Sequence, residues 1–174
     1  DLLISAFDTV CHKIPDARLV IAGPDNDGYS ETVQKWIRDR ALGDQVHIIG
    51  PLYGDEVTQA YADADLLVLP SYTENFGMTA VEALASGLPV VVSDQVGIHS
   101  DVVSAGVGIV TRCDAGEVAA AIISLLEDPG RRKTMGAAGR TLVHDRYAWP
   151  VIVDALTREY EAAIERHHRR AARR

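Results

Sequence analysis

The strongest constraint in this chain is an alternation of short apolar runs with helical patterns. The runs are Arg18–Ala22, Gln45–Ile49, Asp65–Leu69, Pro89–Ser93 and Gly108–Thr111. Each is followed by a Gly, Pro, Ser or Asp cluster, the usual punctuation at a strand end. Helical patterns lie between them, at about 2–14, 29–42, 54–63, 77–87 and 98–105. The central runs are apolar at nearly every position. Parallel strands read that way because helices cover both faces of the sheet. The chain therefore predicts an α/β fold, a Rossmann-like doubly wound parallel sheet, as one domain over residues 1–174.

From Glu117 onward the periodicity is helical only. Val118, Ile122, Leu125 and Leu126 share one face; Met135, Leu142 and Val143 form a second set; Ile152, Leu156, Tyr160 and Ile164 form a third. Asp128-Pro129 and Trp149-Pro150 mark breaks between these helices. The chain opens inside a helix whose inward face is Leu2, Leu3, Ala6, Phe7 and Val10, whereas a doubly wound unit begins with a strand. A strand and the turn after it are expected ahead of Asp1. The strands at 18–22 and 65–69 should then flank a gap in the sheet, and their direct pairing would exclude it.

Charge narrows the function. A formal net charge of -8 argues against a general nucleic-acid binder. The exception is the tail, where Arg166, His167, His168, Arg169, Arg170, Arg173 and Arg174 cluster. Its plain reading is a solvated terminus; the alternative is a peripheral contact with anionic lipid at the inner face of a membrane. The apolar runs are far short of the ~20 residues that span a bilayer. Cys11 and Cys113 belong to no metal-binding spacing. Two thiols without an export signal point to a reducing cytoplasm.

The chemistry is concentrated between Pro70 and Val91, in Pro-Ser-Tyr-Thr-Glu-Asn-Phe-Gly-Met-Thr-Ala-Val-Glu-Ala-Leu-Ala-Ser-Gly-Leu-Pro-Val-Val. This stretch leaves one buried strand, crosses a loop, forms a helix and enters the next strand. Ligands of open α/β sheets bind outside the carboxyl ends of strands, which is where Ser71–Gly77 falls. Gly77 allows close backbone approach. The amides of Phe76, Gly77, Met78 and Thr79 are expected to be free donors at a helix start, with the dipole behind them, and so to attract phosphate. Glu82, inside the helix, is acceptor-only when ionised and suits sugar hydroxyls.

Glu74-x7-Glu82 with Phe76-Gly77 after the first glutamate, followed by Glu-Ala-x-Ala-x-Gly-x-Pro-Val-Val, resembles the signature of retaining two-domain (GT-B type) glycosyltransferases of the large family 4. Leu2–Phe7, Leu19–Gly23, Val46–Gly50 and Ala64–Leu66 occur in that family's order. The resemblance implies the C-terminal, donor-binding domain. Glu82 would bind the ribose hydroxyls of a nucleotide and Glu74 would touch the transferred sugar. Asn75, Phe76 and Gly77 would present backbone to sugar and diphosphate, with Met78 and Thr79 close by. Leu52 would line the base. The donor is a substrate, and neither a cofactor nor a metal is implied. Alternatives are a non-catalytic nucleotide-sugar or interaction module, or an epimerase on the same architecture.

Two departures stand out. The family often has Gly-Gly-x-x-Glu after the next strand, whereas this chain has Val96-Gly97-Ile98-His99-Ser100-Asp101, in which only Gly97 fits and is expected among the donor-binding residues. The family's diphosphate-holding Arg and Lys, and its N-terminal acceptor domain, would precede Asp1, so this chain alone is expected to be inactive. No residue present is a credible general base. Asp63-Ala64-Asp65 reads as a helix end and strand start, Gly23–Gly28 as a turn, and Tyr147 and Trp149 as packing residues. P-loop, dinucleotide and nucleophile-elbow motifs are missing.

Overall fold

The computed structural model describes residues 1–25 and 27–171. Its elements alternate as the sequence predicts: α1 (Leu2–Lys13), β1 (Leu19–Ala22), α2 (Tyr29–Asp39), β2 (Val46–Gly50), α3 (Asp55–Asp63), β3 (Leu67–Leu69), α4 (Met78–Ser86), β4 (Val90–Ser93), α5 (His99–Ala105) and β5 (Gly108–Thr111). Three helices follow: α6 (Ala115–Leu126), α7 (Pro129–Arg146) and α8 (Trp149–Ala171). Both predicted breaks are real. Asp128 caps α7, accepting from the Arg131 N–H at 2.8 Å with Pro129 in the first turn, and α8 starts at Trp149. Asp63 ends α3, and Asp65 pairs with Arg132 of α7 at 2.8 Å, so the Asp-x-Asp is a helix end and strand approach.

All pairing is parallel, but it forms two ladders, β1–β2 and β3–β4–β5. Among the described residues β1 and β3 do not pair. Burial follows from this arrangement. β4 has a partner on each side and helices over both faces, and all four of its residues are buried. β3 pairs on one side only and is half-buried throughout; on β1, Val20 is 54% exposed. The expectation of fully covered central strands therefore holds for β4 and fails for β1 and β3.

Side chains alternate across the sheet with period two. Val90 and Val92 face the cluster formed by α4 and α5 (Ala80, Val81, Leu84, Ile98, Val102), whereas Val91 faces Ala121 and Leu125 of α6. On β3, Leu67 and Leu69 join the first side and Val68 the second. Val68 also meets the cluster built by α1, α2 and α6, in which Ile4, Phe7, Val10, Ile37, Val118 and Ile122 are buried. On the α4 side, α7 brings Gly136 against the Gly87 carbonyl and Gly139 against Leu84, so any larger residue would push the two helices apart. This contact fixes α4 from behind.

The third helical set departs from expectation. Val118, Ile122 and Leu125 are buried, but Ile152, Leu156, Tyr160 and Ile164 of α8 are 39%, 49%, 62% and 55% exposed. Their spacing is helical as read, yet α8 packs only lightly against α7 and leaves the stripe uncovered. Trp149 is 78% exposed, so its predicted packing role is corrected. Arg166, His167, His168 and Arg169 lie on the exposed last turns of α8. Arg173 and Arg174, and the Asn26 position of the first turn, lie outside the described residues, as does the side chain of Arg170. Among the described residues no helix is long and apolar enough to cross a membrane.

Candidate functional site

The loop between β3 and α4 is held from below by a strip of extended chain. Glu74 and Val96 form an isolated parallel bridge. The Glu74 N–H donates to the Gln95 carbonyl at 3.2 Å, the Gly97 N–H to the Glu74 carbonyl at 3.1 Å, and the Ile98 N–H to the Phe76 carbonyl at 3.1 Å. Gly97 is required for this closeness. A Cβ there would run into the Asn75 carbonyl and stand 3.0 Å from the Phe76 Cα. The structure therefore places Gly97 beneath the loop, where it supports Asn75 and Phe76.

Gly77 makes the turn into α4. Its φ of +98° is left-handed, and a Cβ would also meet Val96 Cγ1 at 2.7 Å. It occupies the N-cap position with no side-chain cap, so the amides at the helix start depend on other partners. The sequence expected four free donors here, and two are taken. Glu74 folds back, and its Oε1 accepts from the N–H groups of Phe76 and Gly77 at 3.2 Å each. A carboxylate beside a helix N-terminus is stabilised by the dipole, which explains the inward turn. The Met78 and Thr79 amides have no acceptor among the described residues.

Glu82 lies one turn into α4, on the face shared with Met78 and Thr79 (i, i+4 and i, i+3). Its carboxylate is held by a residue that sequence reasoning missed. Tyr61, from the last turn of α3, donates its hydroxyl to Glu82 Oε2 at 3.0 Å and lies 3.4 Å from the Thr79 carbonyl. Burial of the ring pushes the Tyr61 phenol up to about 12, with the hydrogen bond to Glu82 and that residue's charge adding to the rise. A tyrosine on the helix before a strand carries no sequence signal that separates it from ordinary packing.

Phe76 is 38% exposed and meets the ring of Tyr147 edge-on, with centroids 5.5 Å apart at 81°. The Tyr147 hydroxyl donates to Asp101 of α5, which also pairs with Arg146. Burial, then this hydrogen bond and the Asp101 charge, push the Tyr147 phenol up to about 12. Tyr147 thus has the packing role that the sequence assigns it. His99 is a local tether, with Nδ1 2.8 Å from the Val96 carbonyl. Leu52, half-buried after β2, lies on another loop of the sheet, and no hydrogen bond among the described residues joins it to the Glu74–Glu82 group. The 71–79 loop and Glu82 thus form one surface at the carboxyl end of β3, offering free amides, a carboxylate and an exposed aromatic edge. Among the described residues no group of three or more His, Cys, Asp or Glu side chains converges.

Known proteins share this sequence and shape. Residues 1–142 match the family described as glycosyl transferases group 1. The chain is 32% identical over 164 residues to a GDP-mannose-dependent monoacylated alpha-(1-6)-phosphatidylinositol monomannoside mannosyltransferase of Corynebacterium glutamicum, covering 90% of this chain and 42% of that relative. Among solved structures it is similar to sucrose-phosphate synthase from Thermosynechococcus elongatus, with a TM-score of 0.82 at 28% identity, over 94% of this chain and 42% of that one. It shares the fold of Anabaena HepE, solved in complex with UDP-glucose, with a TM-score of 0.82 at 22% identity, over 92% of this chain and 44% of that one. The chain therefore spans about two fifths of the length of these proteins, and it belongs to the group 1 glycosyl transferases, with a Rossmann-like domain of the GT-B type.

Proposed function

We propose that this domain binds the donor of a retaining glycosyltransferase of the family 4 type, which moves a sugar from a nucleotide diphosphate to an acceptor hydroxyl. One observation carries the reading: the start of α4 has two free amides, at Met78 and Thr79, and the Glu82 carboxylate follows one turn later on the face that carries the Met78 and Thr79 side chains. Amides with a helix dipole behind them attract phosphate, and a carboxylate accepts from a ribose diol. Leu52 then lines the base and Glu82 takes the ribose. Asn75, Phe76 and Gly77 present backbone to the sugar and diphosphate, and Glu74 meets the transferred sugar. For that, Glu74 releases the Phe76 and Gly77 amides, which pass to the donor. The rate contribution of these groups is positioning and stabilisation of charge on the departing diphosphate. A GDP-mannose-dependent relative and a fold neighbour solved with UDP-glucose support the donor class and leave the base open.

The reading assigns the acceptor site to a further domain of the same polypeptide, and the gap between β1 and β3 to a strand from upstream of α1. Calorimetric titration of UDP, GDP and ADP, with the matching nucleotide sugars, into the wild type and Glu82→Gln tests the donor site. The expected result is binding of one nucleotide that weakens about tenfold or more in the variant, as loss of a charge-assisted hydrogen bond implies. Equal binding by both proteins refutes the role of Glu82. Binding without transfer by the complete polypeptide supports a non-catalytic nucleotide-sugar module instead.

A further inference from the structure

We propose that Tyr61 is a positioning residue of the donor site, whose hydroxyl orients the Glu82 carboxylate for a ribose diol. The inference rests on the donor-binding reading given above. It starts from a contact between two helices: Tyr61 belongs to α3, and both acceptors near its hydroxyl, Glu82 Oε2 at 3.0 Å and the Thr79 carbonyl at 3.4 Å, belong to α4. A phenol carries one proton. The shorter and charged acceptor takes it, and the Thr79 carbonyl fixes the side from which the hydroxyl approaches. The ring is half-buried and packs on the cluster beneath α4, so the hydroxyl is presented from a rigid support.

An exposed glutamate without such a partner samples many rotamers, and binding must then order it. Here one oxygen is already anchored. Oε1 has no partner among the described residues and can accept from two hydroxyls, because each carboxylate oxygen carries two lone pairs. The arrangement suits a ligand that presents two adjacent donors. A ribose does so through its 2′ and 3′ hydroxyls, whereas a 2′,3′-dideoxyribose offers none. Tyr61 thereby contributes to the choice of ribonucleotide over deoxynucleotide without touching the ligand.

The test compares wild type, Tyr61→Phe, Glu82→Gln and the double variant by calorimetry. UDP, GDP and ADP are the probes, and the 2′,3′-dideoxy form of whichever binds is the control. Tyr61→Phe keeps the ring and its packing, and circular dichroism confirms an unchanged fold. The expected result is roughly tenfold weaker binding of the ribonucleotide by Tyr61→Phe, the scale of one lost charged hydrogen bond. Dideoxynucleotide binding should not change, and Tyr61→Phe should cause no further loss in the Glu82→Gln background. Three results overturn the inference alone: unchanged ribonucleotide binding, equal losses for the two ligands, or an additive loss in the double variant. All four proteins are tested as the complete polypeptide, which carries the upstream Arg and Lys that the family resemblance implies; if its wild type binds none of the three nucleotides, the donor reading itself falls and this inference falls with it.

Discussion

Gly97→Ala tests how the candidate loop is supported. The added Cβ would collide with the Asn75 carbonyl and stand 2.9 Å from its carbon. The obstacle is backbone, so no side-chain rotation relieves it. Separating the two segments by about 1 Å would carry the 3.1 Å bonds from Gly97 N–H to Glu74 and from Ile98 N–H to Phe76 past the limit for a hydrogen bond. Each such bond contributes about 0.5–1.5 kcal/mol net. Overpacking adds about 1–3 kcal/mol. The loss of stability is then roughly 2–6 kcal/mol, and for a domain of this size each kcal/mol lowers Tm by about 2–4 °C. Thermal unfolding followed by circular dichroism should show a fall of at least ~4 °C. Nucleotide affinity should fall as well, because Phe76 and Gly77 are displaced. A Tm within about 1 °C of wild type, with unchanged binding, would refute the account of Gly97 as the support beneath the loop.

Other predictions follow from the same geometry. Gly77→Ala places a Cβ on a left-handed residue and 2.7 Å from Val96, so it should lower stability by about 1–3 kcal/mol in urea denaturation and abolish nucleotide binding. Leu125→Ala, in the core, should cost about 2–5 kcal/mol. Leu156→Ser, on the uncovered stripe of α8, should change the stability of this domain by less than ~0.5 kcal/mol in the same assay. Spectrophotometric titration should find two of the six tyrosines ionising near 12, and Glu82→Gln should return one of them, Tyr61, toward 10. Because folding raises these two phenols, their contribution to stability is complete below pH 10 and is lost as pH rises from 10 through about 12.

Much of the fold was legible because two periodicities were. The continuous apolar run Val90–Val92 marked the one strand that is covered on both sides, and Gly77 and Gly87 bounded α4 where the sequence placed its ends. Asp65 and Leu66 read as strand but lie outside the β3 ladder, and Asp65 is drawn to Arg132 instead. That partner is 67 residues away, and local patterning does not encode it. The α8 stripe was read correctly as a face, but periodicity states what needs covering and not what covers it. At the site, Glu74, Gly77 and Glu82 were visible through spacing within one segment. The return of Glu74 to the Phe76 and Gly77 amides was not, because carboxylate and free amide are equally good readings of a helix start. Tyr61 was invisible because its role depends on the packing of α3 against α4.

The central claim is that a nucleotide diphosphate sits on the start of α4 with its ribose on Glu82. The most direct measurement is residue-resolved amide NMR of the domain during titration with the nucleotide that binds. The account predicts shifts concentrated at Phe76, Gly77, Met78, Thr79 and Glu82, with the Phe76 and Gly77 amides responding as Glu74 releases them. Saturable binding that leaves these amides unmoved and shifts another surface would contradict it.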